Sequence, residues 1–151
     1  MKIIIASDHT GVDYKATLVK EMEEKGYTVS DLGTFDASQP DDYPDYAEKV
    51  AKAILTKQGE RGVIICGSGV GVSVAANKFK GIRAGVCHDT YSAHQCVEHD
   101  DANVLCIGQR IIGIELAREV VFTFLKAVFS NEERHVRRLK KIAIIEDSNM
   151  K

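Results

Sequence analysis

Five short apolar runs alternate with longer stretches of helical periodicity, and this alternation constrains the fold more than any other feature of the chain. The runs are rich in Ile and Val and predict strands at 2–6, 28–32, 62–66, 82–86 and 103–107. The stretches between and after them predict helices at 12–25, 45–57, 71–78, 92–98, 113–128 and 132–145. Consecutive strands joined through helices run parallel, and a parallel sheet is covered on both faces. We therefore expect an α/β fold, a Rossmann-like three-layer sandwich with a five-stranded parallel sheet and a C-terminal helix.

The size and composition of the chain fit one globular unit. Its 151 residues are 44% hydrophobic and 28% charged, which predicts a single domain over 1–151. The formal net charge of -2 gives no sign of nucleic-acid or membrane affinity. The apolar run at 3–6 is too short for a signal peptide or a membrane span, so we expect a cytoplasmic protein. The cysteines lack CxxC spacing and are expected to be reduced thiols, without a disulfide or a zinc site: Cys66, Cys87, Cys96 and Cys106.

The third apolar run ends in a cysteine and leads into a glycine-rich loop. Residues 63–72 read VIICGSGVGV, so Cys66 is followed by Gly67, Gly69 and Gly71. Glycines let the backbone turn tightly and let a ligand approach it closely. A thiol at the start of the next helix lies where backbone N–H groups favour negative charge, which suits a base beside an oxyanion site. The alternative interpretation is that Cys66 only fills the core, as a cysteine at the end of an apolar strand often does.

Polar residues also stand next to the other predicted strands. Asp8 and His9 come directly after the first strand, Asp89 follows the fourth, and His99 stands just before the fifth. Ligand crevices in such folds lie beyond the carboxyl ends of the strands. We therefore expect Asp8, His9 and His99 to gather with Cys66 at one edge of the sheet. Asp89 is the exception, because its position predicts a cap for the helix that follows.

Two nucleotide-binding interpretations of the glycine loop are weak. Asp89 lies about twenty residues after the loop, where a dinucleotide site has its ribose-binding acid, but the spacing is G-x-G-x-G rather than G-x-G-x-x-G. No Gly-Lys-Ser/Thr follows the loop, as a nucleoside-triphosphate site requires. We therefore expect no nucleotide cofactor.

The C-terminal segment carries candidate phosphate ligands. Residues 130–133 have the pattern of a capping box that opens the last helix. Arg134 and Arg138 then fall four residues apart on one face, a spacing that suits a phosphate dianion. Arg110, just past the fifth strand, is a third candidate. The alternative is a solvated basic face, since three more basic residues are neighbours: Arg137, Lys140 and Lys141.

Together these segments closely resemble the type B ribose-5-phosphate isomerase family, which includes the galactose-6-phosphate isomerase subunits. The similarity covers nearly the whole chain, and its most specific part is ICGSGVGVSVAANKFKGIRAG at 65–85. The other matching segments are SDHTG at 7–11, DDYPDYA at 41–47, YSAHQCVEHDDANVLCIGQR at 91–110 and RHVRRL at 134–139. The resemblance implies an enzyme that interconverts an aldose 5-phosphate and its ketose through an enediolate, without a metal or another cofactor.

The resemblance also implies a role for each candidate residue. Cys66 is implied as the base that moves the proton between C2 and C1, and Ser68 as a hydroxyl near O1 and O2. His99, helped by Asp8, is implied to open the sugar ring. The backbone of the loop is implied to hold the enediolate, through Gly67, Ser68, Gly69, Val70 and Gly71. The remaining implied contacts are Tyr43 to the sugar and His9, Arg110, Arg134 and Arg138 to the phosphate.

The family's assembly and one unusual residue affect what the resemblance implies. Its sites form at a dimer interface, which implies a homodimer or a homotetramer in which the His99 loop serves the partner's Cys66. Ser68 replaces a common threonine and keeps the hydroxyl, whereas Asp100 stands where asparagine is usual. A carboxylate accepts hydrogen bonds but cannot donate them, so Asp100 puts the preferred sugar in doubt. The alternatives are an isomerase of a hexose 6-phosphate, such as allose 6-phosphate or galactose 6-phosphate, and a phospho-sugar sensor without catalysis.

Overall fold

The computed structural model describes residues 1–150, which form a five-stranded sheet and six α-helices. The strands are β1 (Lys2–Ser7), β2 (Thr28–Asp31), β3 (Arg61–Cys66), β4 (Ala84–Val86) and β5 (Val104–Gly108). The helices are α1 (Val12–Glu24), α2 (Tyr43–Leu55), α3 (Val70–Ala76), α4 (Thr90–Asp100), α5 (Ile114–Lys126) and α6 (Glu133–Asn149). Every predicted strand and helix is confirmed, although β4 begins at Ala84 rather than at 82 and α6 ends at Asn149 rather than at 145.

The sheet has the strand order β2-β1-β3-β5-β4, and every neighbouring pair is parallel. Its register sets Ser7 beside Ile65 and Cys66 beside Gly108. The carboxyl ends of the three central strands therefore meet at one edge, which we call the carboxyl edge. The opposite edge, the amino edge, holds the starts of β4 and β5, where Ala84 is paired with Val104. This arrangement confirms the predicted parallel α/β fold.

Two hydrophobic clusters fill the space between the sheet and its helices. Ile3, Ile5 and Ile65 pack with α1, α4 and α5 on one face, whereas Ile4 and Ile64 pack with α2 and α3 on the other. This alternation follows from the two-residue period of a strand. Each of these isoleucines is at most 1% exposed, and burial of one such side chain stabilises the fold by about 1.5–3 kcal/mol. None of the helices within residues 1–150 is long and apolar enough to cross a membrane.

Aspartate side chains cap two segments that follow strands. Asp89 caps α4 as predicted, because its Oδ1 accepts a hydrogen bond of 2.7 Å from the backbone N–H of Ser92. Asp8 caps a short 3-10 turn, His9–Gly11, in which its Oδ1 accepts a hydrogen bond of 2.9 Å from the N–H of Thr10. This turn was not predicted, and it sets the direction in which the chain leaves β1.

The predicted capping box at 130–133 is wrong. Asn131 has a left-handed φ of 57°, so a right-handed helix cannot run through it from Ser130. Helix α6 begins only at Glu133, and no side chain caps it. The Ser130 hydroxyl instead accepts a hydrogen bond of 3.1 Å from the backbone N–H of Glu132, within the loop that precedes the helix.

Candidate active site

Cys66 ends β3 and lies at the carboxyl edge of the sheet, as predicted. Its side chain is 4% exposed, and its Sγ accepts a hydrogen bond of 3.0 Å from the backbone N–H of Gly69. Gly69 has a φ of 78°, and a Cβ there would lie 2.9 Å from the carbonyl carbon of Ile107, so only glycine fits. The glycine loop therefore directs a hydrogen-bond donor at the sulfur.

A cleft of about 340 Å³ opens beside Cys66. We call it the cysteine cleft, and its wall comes from the segments after β1, β3 and β5 and from the start of α2. It is lined by Asp8, Thr10, Tyr43, Cys66, Gly67, Ser68, Gly71, Arg110 and Ile111. The structure thus brings together Asp8, Cys66 and Arg110, whereas the predicted His9, Gly69 and Val70 are not among the residues that line the cleft. Thr10 and Ile111 were not predicted, although both are direct neighbours of predicted residues in the sequence.

Two side chains pack against the glycine loop. The Tyr43 ring lies so close to Gly71 that a Cβ on this glycine would be 2.7 Å from it. The guanidinium of Arg110, an exposed residue, lies 3.5 Å from where the first glycine of the loop would have its Cβ. The Ser68 hydroxyl accepts a hydrogen bond of 3.2 Å from the N–H of Val70, whose own side chain is exposed. An aromatic ring, a hydroxyl and a guanidinium therefore border the cleft that contains the sulfur.

Asp8 and His9 are held by hydrogen bonds within the chain. The Asp8 carboxylate is buried and accepts hydrogen bonds from the N–H and the hydroxyl of Thr10, at 2.9 and 2.5 Å. The N–H and the Nδ1 of His9 lie 2.9 and 2.7 Å from Oδ1 of Asp41. Burial raises the pKa of Asp41, but the hydrogen bonds from His9 and Tyr46 and the charge of His9 together outweigh this effect, and the pKa lies below its usual value. Asp41 was not predicted as a site residue, although it opens the segment 41–47.

Asp8, His9 and Asp41 are also the group within residues 1–150 that has the geometry to hold a metal ion. Their ligand atoms lie within 4.8 Å of one another. Both carboxylates already accept short hydrogen bonds, from Thr10 and from His9. Hydrogen bonds between protein groups therefore account for this cluster.

His99 does not lie at the carboxyl edge, and the prediction that it gathers there with Cys66 is wrong. Helix α4 begins behind the carboxyl end of β4 and returns the chain to the start of β5, so its last turn lies at the amino edge. The Nε of Arg83, just before β4, donates a hydrogen bond of 3.0 Å to the carbonyl oxygen of Asp100. Along β5, Val104 at the amino edge and Gly108 at the level of Cys66 are four residues apart, which is about 13 Å.

The physical reason is the direction of a parallel sheet. A crossover helix must carry the chain back to the amino edge before the next parallel strand can begin. A residue that precedes a strand therefore lies at the opposite edge from a residue that follows one. His99 precedes β5, whereas Cys66 follows β3.

His99 belongs to a second polar surface, formed by α4 and the first turns of α6. We call it the His99 face, and it consists of His99, Asp100, Arg134, His135 and Arg138. The ring of His99 stacks on that of His135 with 4.1 Å between centroids, and its Nδ1 lies 3.1 Å from Nε2 of Gln95. Arg134 and Arg138 are exposed, and Nε of Arg134 pairs with Glu132 at 2.9 Å. Asp100 is exposed too and lines a second cavity, between β4, α4 and α6, rather than the cysteine cleft.

His135 is the residue of this face that was not predicted. It is 1% exposed, and its Nδ1 lies 2.5 Å from the Ser130 hydroxyl, while its Nε2 is buried without a hydrogen-bond partner among the described residues. Burial lowers the pKa of His135, and the charges of His99 and Arg134 lower it further. The ring is therefore a neutral platform for His99. The sequence feature that could have identified His135 is its position next to Arg134 in the segment RHVRRL.

Comparisons with known proteins identify the family to which this fold and these residues belong. The sequence model of the Ribose/Galactose Isomerase family matches residues 3–142. The chain belongs to this family. Ribose-5-phosphate isomerase B of Escherichia coli (strain K12) is 44% identical over 145 residues, which cover 96% of this chain and 96% of that protein. A D-erythrulose-4-phosphate isomerase of Pectobacterium atrosepticum is 40% identical over 129 residues, 85% of each protein.

A solved structure agrees with the sequence comparisons. Ribose-5-phosphate isomerase B of Clostridium thermocellum superposes with a TM-score of 0.95 at 45% identity, over 98% of this chain and 99% of that one. The resemblance found in the motifs is therefore confirmed, and the protein is an isomerase of this family. Membership of the family favours an enzyme over a sensor without catalysis. Most of the predicted site residues of this chain lie in two places, the cysteine cleft and the His99 face.

Proposed function

We propose that this sugar phosphate isomerase interconverts ribose 5-phosphate and ribulose 5-phosphate through an enediolate, with Cys66 as the base. The observation that carries the proposal is the Cys66 sulfur in a small cleft, 3.0 Å from the backbone N–H of Gly69. Proton transfer beside a carbonyl needs a base that is ionised near neutral pH and donors for the charge that develops on oxygen. The glycine loop can serve both needs. The Escherichia coli relative is named for ribose 5-phosphate, which supports the same substrate here.

The proton transfer follows from the position of the sulfur. The Cys66 thiolate takes the proton from C2 of the open-chain aldose and returns it to C1, while the hydroxyl proton passes from O2 to O1, which gives the ketose. The negative charge on O1 and O2 meets the backbone N–H groups of 67–71 and the hydroxyl of Ser68. Asp8 and Tyr43 line the same cleft, and we assign them to the sugar hydroxyls. Because Thr10 holds the Asp8 carboxylate in place, the site needs little reorganisation during the reaction.

Arg110 lines the cysteine cleft of its own chain, whereas the roles of His99, Arg134 and Arg138 require a second chain. We assign ring opening to His99, and phosphate binding to four residues: His9, Arg110, Arg134 and Arg138. One chain holds His99 near the amino edge and Cys66 at the carboxyl edge, and these edges are about 13 Å apart along β5. A homodimer in which the His99 face of one subunit covers the cysteine cleft of the other removes this separation. Val70 and Val74, on α3 beside the cleft, are 54% and 57% exposed and would be covered in such a dimer.

Another sugar phosphate is the second candidate, because relatives of similar identity are named for different sugars. The Pectobacterium relative is named for D-erythrulose 4-phosphate, a shorter sugar. In the proposed dimer Asp100 follows the ring-opening His99 and brings a carboxylate towards the sugar. Such an acceptor also suits the additional hydroxyl of a hexose 6-phosphate.

The test of the mechanism is isotopic. Ribose 5-phosphate is converted in deuterium oxide, and the remaining aldose and the ketose are analysed by NMR spectroscopy and mass spectrometry. The enediolate route predicts solvent deuterium at C1 of the ketose and at C2 of the recovered aldose, and turnover that EDTA does not change. Sugar incubated without enzyme is the control. Conversion without solvent label, lost on chelation, would instead indicate a hydride shift at a metal and overturn the thiolate mechanism.

The substrate is tested by comparing kcat/KM over tetrose, pentose and hexose phosphates. We expect ribose 5-phosphate to have the highest value. A kcat/KM tenfold higher for a tetrose 4-phosphate or a hexose 6-phosphate would show that this sugar, rather than ribose 5-phosphate, is the substrate. The isotope result would still stand, so the two parts of the proposal fail independently.

A further inference from the structure

Cys87 and Cys96 form a pair of thiols outside the cysteine cleft. Cys87 directly follows β4, Cys96 lies in the middle of α4, and their sulfur atoms are 3.9 Å apart with the Cys87 thiol as donor. Cys87 is 3% exposed, whereas Cys96 is partly exposed. Cys96 lines the second cavity, about 680 Å³ in volume, which lies between β4, α4 and α6. A small polar molecule can therefore reach the Cys96 sulfur through this cavity.

We propose that Cys87 and Cys96 are a site of reversible oxidation, at which a hydroperoxide converts the two thiols into a disulfide. In the first step the Cys96 thiolate attacks the distal oxygen of the hydroperoxide. The O–O bond breaks, Cys96 becomes a sulfenic acid and the other oxygen leaves as hydroxide or alkoxide. In the second step the Cys87 sulfur attacks the Cys96 sulfur, the S–O bond breaks, and the oxygen leaves as water with the proton of Cys87. The thiols lose two electrons and the hydroperoxide gains them.

The surroundings of the pair assign the two roles. The hydrogen bond from Cys87 lowers the pKa of Cys96, and Arg61 contributes in the same direction, whereas burial and Asp100 oppose it. The same hydrogen bond and burial raise the pKa of Cys87. The attacking thiolate is therefore the accessible residue, and the proton stays on the buried one. This is the order that the two steps require.

The other two cysteines do not pair an accessible thiol with a buried thiol at hydrogen-bond distance. Cys106 is fully buried in β5, and burial raises the pKa of its thiol. Cys66 lies in the cysteine cleft, where its sulfur accepts a hydrogen bond from Gly69 rather than from a second thiol. Cys66 can be oxidised as well, but it has no resolving cysteine at hydrogen-bond distance. The proposed site is therefore chemically separable from the proposed base.

The disulfide would move the helix that carries His99. The sulfur atoms must approach from 3.9 Å to about 2 Å. Rotation of the two side chains closes part of this gap, and any backbone shift that remains falls on the helix that carries Cys96, because Cys87 follows a strand of the sheet. His99 is three residues after Cys96, one turn further along α4, and it stacks on His135. Displacing it would lower turnover by about tenfold or more. This consequence rests on the proposed function, whereas the disulfide itself does not.

The disulfide is tested without measuring activity. A Cys66→Ala chain is treated with hydrogen peroxide, its free thiols are titrated in denaturant, and its peptides are mapped without reduction. Trypsin leaves Cys87, Cys96 and Cys106 on one peptide, because no Lys or Arg occurs at 84–109. Chymotrypsin after Tyr91 and a glutamate-specific protease after Glu98 separate the three. We expect the loss of two thiols and a joined peptide pair containing Cys87 and Cys96, which dithiothreitol releases.

The matched control is the same chain with Cys96→Ser, checked by circular dichroism for an unchanged fold. It should give no joined peptide. Cys87→Ala is a second variant and should leave Cys96 to proceed to sulfinic acid. If the Cys66→Ala chain gives no joined pair, whether its thiols survive or are oxidised separately, the proposal is overturned.

The consequence for turnover is tested by treating the wild type and Cys96→Ser with the same peroxide dose. Any oxidation of Cys66 affects both proteins equally. We expect the wild type to lose about tenfold more kcat than Cys96→Ser, with recovery in dithiothreitol. Equal losses, together with a mapped disulfide, would overturn the coupling to His99 and leave the proposed base unaffected.

Discussion

The cysteine cleft and the His99 face differ in how completely each is built within one chain. The cleft is recessed, and Cys66 and Asp8 in it are 4% and 6% exposed and are held by short hydrogen bonds to backbone groups or to Thr10. The face is carried by two helices at the other edge of the sheet, and its Arg134 side chain is 53% exposed. Only the cleft resembles a finished binding site. The face carries two exposed arginines, Arg134 and Arg138, and neither of them lines the second cavity.

This difference assigns the two regions different parts of one reaction. A group that removes a proton from carbon must be rigid and shielded from water, because the developing charge is stabilised by fixed donors. Groups that bind a phosphate and open a ring can arrive from another surface as the site closes. We infer that the cleft carries out the chemical step and that the face completes the site of a second subunit.

The largest effect should come from the cleft. Cys66→Ala should lower kcat by about 10²–10⁴, because it removes the base of the chemical step. The affinity for a phosphate ligand, measured by calorimetry, should change little, because the thiol acts only in the chemical step. Cys96→Ser is the matched control, since it removes a thiol outside the cleft and should keep normal turnover. More than about a tenth of wild-type kcat in Cys66→Ala would show that Cys66 is not the base.

Mixing two inactive variants tests whether the face serves another subunit. Cys66→Ala and His99→Ala chains, mixed in equal amounts and allowed to exchange, should recover about a quarter of wild-type activity. Half of the dimers are then mixed, and each has one complete site out of two. Native mass spectrometry of tagged chains checks that exchange has occurred. If mixed dimers form and remain inactive, Cys66 and His99 do not act in a site shared between subunits. The proposed dimer would then not explain why the cleft and the face lie apart.

How much of this could be predicted from the sequence depends on whether the signal was local. The strands could be predicted because a continuous apolar run such as Ile3–Ile5 is typical of a parallel strand that is buried on both faces. The Asp89 cap could be predicted because it involves only the next three residues. The cluster at the carboxyl edge could also be predicted. Residues that directly follow parallel strands share that edge, which brought Cys66, Asp8 and Arg110 together.

The wrong predictions concern features that depend on the direction of a strand or on a single backbone dihedral angle. His99 was placed at the carboxyl edge because it stands next to a strand, but a residue before a parallel strand lies at the opposite edge. The start of α6 was placed too early because the left-handed backbone of Asn131 leaves no mark in the capping pattern. His135 was missed because its burial depends on stacking against His99, a contact between two helices.

The cations of the face can be tested one at a time. Arg134→Ala should raise KM for the sugar phosphate by about 10- to 100-fold, because a hydrogen bond to a charged group contributes about 1.5–3 kcal/mol. The maximal rate should fall less. Arg137→Ala, on the same helix and also exposed, is the matched control and should leave KM unchanged. Equal effects of the two substitutions would make the segment a solvated basic face rather than a phosphate site.

The smallest expected effect concerns Asp100, which links the face to the choice of sugar. Its carboxylate is exposed in the single chain, and its backbone oxygen accepts a hydrogen bond from Arg83. In the proposed dimer its carboxylate is an acceptor that suits the additional hydroxyl of a hexose, so Asp100→Asn should raise kcat/KM for ribose 5-phosphate relative to a hexose 6-phosphate. One hydrogen bond to a charged group is involved, so the ratio should change by about tenfold. Asp101→Asn is the control, because the Asp101 carboxylate pairs with Arg83 instead.

The two sugars together distinguish three roles for Asp100. A changed ratio means that its side chain contacts the part of the substrate in which the sugars differ. Parallel changes on both sugars mean that it acts on His99, its neighbour at the end of α4, by adding negative charge beside the imidazole. If neither rate changes, Asp100 is an exposed surface residue even in the assembled enzyme. Asp100 would then give no reason to doubt that ribose 5-phosphate is the substrate. The part of the His99 face that contacts the substrate would end at His99.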